Sequence, residues 1–174
     1  SKENIGKAKS EIVLNLPEDG FAILNGDNEF VRKAAEKTRA QVIFFGLSDA
    51  CDYIGSNIVT TSEGTSFTVK EKASGQEVRV SFSLIGEHNV YNALSAIAGA
   101  QAYGVSLQEA AQALKNAELT GSRQEIVRKQ GITFINDAYN ASPASMEAGL
   151  RTLAVAKKAS NSRTIAVLAD MLEL

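Results

Sequence analysis

Between Glu3 and Leu16 the apolar residues Ile5, Ala8, Ile12 and Val13 recur at spacings of three and four, which predicts an amphipathic helix ended by Pro17 and Gly20. Phe21 to Leu24 then reads as a short buried strand, and Asn25-Gly26-Asp27 as a turn. Phe30, Val31, Ala34 and Ala35 put an apolar stripe on a second helix, and Gln41 to Phe45 is the next strand, stopped by Gly46. Continuously apolar strands with a helix between them predict an α/β fold, a parallel sheet covered by helices. The pattern then changes period. Ser66 to Lys72 and Glu77 to Leu84 alternate apolar and polar around Ala73-Ser74-Gly75-Gln76, the mark of an antiparallel hairpin with one wet face. Phe67, Val69, Val78, Val80 and Phe82 form its inward row.

From His88 to Tyr103 apolar residues and alanines lie all round, so this helix is predicted to be buried, with Gly104 at its C-cap. Ser106-Leu-Gln-Glu109 opens a further helix with a capping box, running to near Glu118. Thr120-Gly121-Ser122 is a small-residue joint, and it divides the chain into residues 1–119 and 120–174. Two strands, Gln124 to Arg128 and Ile132 to Asn136, follow the joint. Pro143 stands in the first turn of a helix from Ala144 to Lys158, and Thr164 to Ala169 reads as one more buried strand. No internal repeat or low-complexity segment interrupts this order.

Composition narrows the function. With 18 Lys and Arg against 20 Asp and Glu among 174 residues the net charge is −2, and no basic run marks a nucleic-acid or membrane surface. One Cys and one His exclude an internal disulfide and a structural zinc site within these residues. No apolar run reaches the roughly 20 residues of a membrane span, so the expectation is a cytoplasmic protein. A first residue Ser1 in place of Met, and an apolar last stretch, read as part of a longer chain.

Three groups of residues carry candidate chemistry. On a helix starting near His88, the side chains of His88, Asn89 and Asn92 fall within one turn, and His88 and Asn92 share a face. An Asn amide both donates and accepts, which suits the edge of a purine, although capping by Asn89 and a buried, satisfied His88 explain the same pattern. Asn136-Asp-Ala-Tyr-Asn-Ala-Ser-Pro143 stands at the carboxyl end of a strand, where ligands bind in open α/β sheets. There Asp137 can take two ribose hydroxyls and Tyr139 can pack on a base; an Asx turn feeding a helix is the structural alternative. Arg123, just past the joint, offers a fork for phosphate or sugar, while Lys7 and Lys9 sit on a helix face where solvated charge is the ordinary outcome. Neither a Gly-x-x-x-x-Gly-Lys-Ser/Thr loop nor a Gly-x-Gly-x-x-Gly helix start occurs in these residues. A catalytic triad would have to use the single His, and nothing near Cys51 or His88 supports one.

Taken in order, Ala8-Lys-Ser-Glu-Ile12, Leu24-Asn-Gly-Asp27, Gly86-Glu-His-Asn-Val-Tyr-Asn-Ala-Leu94, Gly121-Ser-Arg123, Asn136 to Pro143 with Ser145-Met146, and Asp170-Met-Leu-Glu-Leu174 resemble the Mur ligases. The resemblance implies the second half of the central ATPase domain over 1–119 and the opening of a Rossmann-like C-terminal domain over 120–174. It implies an ATP-dependent ligase of peptidoglycan-precursor synthesis, which joins D-alanyl-D-alanine to UDP-N-acetylmuramoyl-tripeptide through an acyl phosphate. By position it assigns His88, Asn89, Asn92, Arg123, Asp137 and Tyr139 to ATP, and Asn140 and Ser145 to the substrate. Lys9 matches a lysine that is carbamylated in several relatives, where its carbamate helps hold Mg²⁺. The family's phosphate-binding loop and metal-ligating Glu and His would lie before Ser1, so turnover by these residues alone is not expected. Asn28 and Ala169 depart from the usual acidic residue and Gly. A non-catalytic nucleotide-binding or interaction module, or a related ligase with another acceptor, fits the same residues.

Overall fold

The computed structural model describes residues 2–117, 121, 123–160 and 163–171. Helix α1 (Lys2–Leu14), strand β1 (Phe21–Asn25), helix α2 (Glu29–Ala35) and strand β2 (Gln41–Gly46) follow the predicted order. Three strands come next: β3 (Tyr53–Thr61), β4 (Gly64–Glu71) and β5 (Glu77–Phe82). Together the five form one mixed sheet in the order β1-β2-β3-β4-β5, parallel from β1 to β3 and antiparallel from β3 to β5. The apolar pattern predicts no strand over the segment that becomes β3. Its apolar period is broken at Asn57, which stands at φ 51°, and its register on β4 shifts between Ser56 and Val59. Such an interrupted strand exists because it has neighbours on both sides.

The two faces of the sheet carry different loads. Alternation along β1 and β2 sends Ile23, Ile43 and Phe45 to one face, where the strands meet helix α3 (His88–Ala102), while helix α4 (Leu107–Ala113) packs on β5 and α3 in the same core. Here lies the main core, with Phe67, Val69, Val80, Val90, Leu94, Ile97 and Leu107 almost fully buried. Phe67 and Phe82 meet edge to face at 6.2 Å. The hairpin row expected from alternation faces this core, with Val78 half-buried at its margin. On the other face Ala22, Leu24 and Val42 pack with Val13 and Leu16 at the end of α1. Most of the stripe predicted for α1 does not take part: Ile5 is 63% and Ile12 75% exposed. The inward face is instead Gly6, Ser10 and Val13, because Gly6 lets the Phe30 ring of α2 come close, where a Cβ would stand 3.2 Å from Phe30 Cβ. Apolar period alone cannot choose between two stripes about 100° apart.

Capping follows local chemistry. Asn28 caps α2 by accepting from the Phe30 and Val31 amides, a task an Asp at this position would perform equally well. Ser106 and Glu109 form the predicted capping box of α4. Helix α3 ends with Gly104 at φ 86°, its N–H donating to Gln101 O and that of Val105 to Ala100 O. After α4 the chain makes a 3₁₀ turn (Leu114–Asn116), so the regular helix stops short of the expected Glu118, which lies outside the described residues. Thr120 and Ser122 of the expected joint also lie outside them.

Strands β6 (Glu125–Lys129) and β7 (Ile132–Asn136) pair antiparallel, and α5 runs Pro143–Ser160. The strand expected over Thr164 to Ala169 does not form. Those residues enter no ladder, and Val167 is 92% exposed, since an apolar run becomes a strand only where a neighbour takes its hydrogen bonds. The last residues, 172–174, lie outside the described residues. Among the described residues no helix is long and apolar enough to cross a membrane.

Candidate nucleotide site

Helix α3 begins at a sharp corner. Gly86 stands at φ 112°, and a Cβ there would lie 2.6 Å from His88 Cε1, so only glycine lets the imidazole fold back over the turn. Asn89 is buried, 2% exposed, and donates from Nδ2 to Ile85 O at 3.1 Å, tying the first turn to the strand end before it. It is therefore not an N-cap. The residue at that place, Glu87, makes no side-chain cap. Asn92 is exposed one turn on and donates to Asn89 Oδ1 at 3.3 Å.

The second half of the chain meets this corner. Gln124 Nε2 lies 3.1 Å from His88 Nε2, and the Gln124 backbone N–H donates to Asp137 Oδ1 at 3.3 Å. Asp137 is exposed just beyond the end of β7. Beside it the Arg123 guanidinium stacks 4.1 Å over the Tyr139 ring, which is itself exposed. Burial holds the His88 pKa below its ordinary value, with the Asp137 carboxylate pulling the other way. A neutral ring can accept the Gln124 amide proton at Nε2. A cleft of about 360 Å³ opens alongside, between His88, Gly86 and Thr60 on one side and Glu147, Arg151 and Thr152 of α5 on the other. The result is a solvent-facing carboxylate, a stacked cation and aromatic, and an Asn amide around one corner, groups that suit sugar hydroxyls, an anion and a heteroaromatic ring.

The remaining candidates are placed elsewhere. Lys9 is exposed on α1. Asn140 Oδ1 accepts from Ala141 N, and Ser145 exchanges hydrogen bonds with Ser142, so Ser142 and Ser145 serve the start of α5. Among the described residues no three His, Cys, Asp or Glu side chains gather as a metal centre.

Sequence reasoning missed Gln124, which nothing in its local pattern singles out. It gave Asp27 only as part of a turn and a family motif, with no role for the group it forms at the carboxyl edge of β1 and β2. There Asp27 accepts from the Leu47 and Ser48 amides at 2.6 and 3.2 Å and from Tyr91 Oη at 3.0 Å. Burial, then the Asp27 carboxylate, push the Tyr91 hydroxyl up to about 12. The signal was partly present, an Asn-Gly-Asp turn directly after a parallel strand.

Comparison with known proteins now defines the class. The family described as Mur ligase middle domain matches residues 1–100, and that described as Mur ligase, glutamate ligase domain matches residues 122–174. The chain belongs to the Mur ligase family. Within it, the chain is 37% identical over 175 residues to the UDP-N-acetylmuramoyl-tripeptide--D-alanyl-D-alanine ligase of Bacillus subtilis, a match covering all of this chain and 36% of that relative. A crystal structure of MurF from Acinetobacter baumannii superposes with a TM-score of 0.80 at 32% identity, covering 89% of this chain and 34% of that one. MurF from Thermotoga maritima, solved in complex with ADP, shares the fold at a TM-score of 0.73 and 20% identity, covering 88% of this chain and 35% of that one. The chain thus spans little more than a third of the relatives it matches.

Proposed function

We propose that these residues form the adenosine side of the ATP site in a ligase that joins D-alanyl-D-alanine to UDP-N-acetylmuramoyl-tripeptide in the cytoplasm. The observation that carries the reading is the meeting of His88, Gln124 and Asp137, which brings the start of α3 and the end of β7 to one corner. Whole-chain similarity to the dipeptide-adding ligases supports the choice of substrates. In this proposal residues 1–119 close the central ATP-binding domain and 120–174 open the C-terminal domain.

Asn92, exposed and held by Asn89, meets the adenine edge, and Asp137 takes the ribose hydroxyls. Arg123 and Tyr139 lie against the sugar, phosphate or base as a preformed stack. Held there, the nucleotide presents its γ-phosphoryl group to the substrate carboxylate, and transfer yields ADP and an acyl phosphate. Attack by the dipeptide amine on the acyl carbon then forms the amide and releases inorganic phosphate. These residues contribute orientation, which converts a chance encounter into an aligned one. Mg²⁺ offsets charge on the phosphates when bound. In this chain only Lys9, as a carbamate, is assigned toward it, and no step is derived through the ion. Asn140 and Ser145 are assigned to the substrate side.

The test uses the full-length protein. Release of ADP that requires both the tripeptide precursor and D-alanyl-D-alanine is the expected result. Asn92→Ala and Asp137→Ala should each raise the KM for ATP by about tenfold or more, the loss of roughly one charged or bidentate hydrogen-bonded contact. ADP release indifferent to both acceptor and donor would sink the assignment.

A further inference from the structure

We infer that Gln124 is a positioning residue for nucleotide binding, holding the Asp137 carboxylate with its backbone amide and the His88 ring with its side-chain amide. The inference rests on the nucleotide reading above and deepens it. Three observations carry it. The two contacts, at 3.3 and 3.1 Å, are the hydrogen bonds by which the β7 end and the α3 start reach one another through a single residue. Gln124 also stands at φ 50°, in the left-handed region that is uncommon for a residue with a Cβ, and from there its N–H donates to Asp137. Lastly, Oε1 is buried and meets no donor among the described residues. An apolar side chain would fill this space without leaving a buried acceptor unsatisfied, so packing alone is poorly served by glutamine here.

The consequence is geometric. Asp137 is exposed, and its Oδ1 accepts from Gln124, so the direction in which its second oxygen meets a ribose depends on where Gln124 sits. The His88 ring, anchored over Gly86, sets that place. A change at Gln124 should therefore be felt as a loss of selectivity for the ribose, and not as a uniform loss of activity.

In the full-length protein, Gln124→Met keeps length and bulk but removes the amide. The measurement is kcat/KM for ATP against 2′-deoxy-ATP, in wild type, Gln124→Met and Asp137→Ala. Asp137→Ala should bring the ratio close to one. Gln124→Met should lower it severalfold, raising the KM for ATP with kcat nearly unchanged; a residue that merely stabilises the fold would depress both nucleotides alike. Combined with His88→Asn, Gln124→Met should cost no more than either change alone, because both cut the same link. If Asp137→Ala removes the selectivity while Gln124→Met leaves it intact, the inference about Gln124 is overturned and the nucleotide reading stands. Selectivity that survives Asp137→Ala overturns both. Gln124→Leu carries the same comparison should Gln124→Met fail to fold.

Discussion

His88 shows how one side chain can be read two ways until its neighbours are known. By spacing it is a polar residue at a helix start; in place it is a half-buried, neutral imidazole between Gly86 and Gln124. Its pKa lies below the ordinary value because burial disfavours the cation. As pH falls, the unfolded chain therefore takes up this proton before the folded one does, and stability is lost through the ordinary His range while being full above it. The melting temperature should fall between about pH 7.5 and 5.5 by more in wild type than in His88→Gln. Equal falls would show that the ring carries no such linkage. Gly86→Ala tests the same corner by sterics. With a Cβ 2.6 Å from His88 Cε1 the ring must move, and nucleotide affinity measured by calorimetry should drop about tenfold, the worth of one lost hydrogen bond at its upper range. Cys51 is the opposite case, a residue whose burial makes it inert. It is fully buried, and burial ahead of the Asp27 charge raises its thiol pKa, so little thiolate forms. A thiol reagent at neutral pH should label it only after denaturation.

Helix α3 is the element on which the site depends. Its buried side, Val90, Leu94 and Ile97, packs into the main core, while the turn that carries Asn92 stays open. Truncating Phe67, which is fully buried, should destabilise the protein by about 3–5 kcal/mol, read as a lower denaturant midpoint with an unchanged slope. Tyr91 fastens the helix at its exposed edge, its hydroxyl on Asp27 at 3.0 Å across 64 positions of sequence. Local pattern predicted α3, its glycine end and the α4 capping box, since each depends on residues within one or two turns. It misassigned the buried face of α1, because Gly6 against Phe30 is a contact between helices and leaves no trace in the period of either one.

At the scale of the whole molecule the candidate site belongs to no single element. His88 and Asn92 come from the start of α3, Asp137 from the end of β7, and Gln124 from the stretch before β6. A ligand that bridges such elements stabilises the folded chain by mass action, by about 2.7 kcal/mol at a hundredfold excess over its Kd. In the full-length protein ATP should therefore raise the melting temperature in wild type and much less in Asp137→Ala. A shift of the same size in both would remove Asp137 from the binding residues.

The alternation of helices and strands outside β3 and the last apolar run, the hairpin with its inward Phe67, Val69, Val80 and Phe82, the glycine end of α3, the capping box of α4 and the family motifs were legible in the sequence, because hydrophobic period and capping act over a few residues. The tertiary structure alone decided the rest. It made a strand of Tyr53–Thr61 by placing β2 and β4 on either side, and left Thr164 to Ala169 without a ladder. It buried Asn89, exposed Asn92 beside it, and set Gln124 between His88 and Asp137. Such contacts join residues far apart in the chain, and the free energy that selects them comes from packing and hydrogen bonding that exist only once the chain has folded.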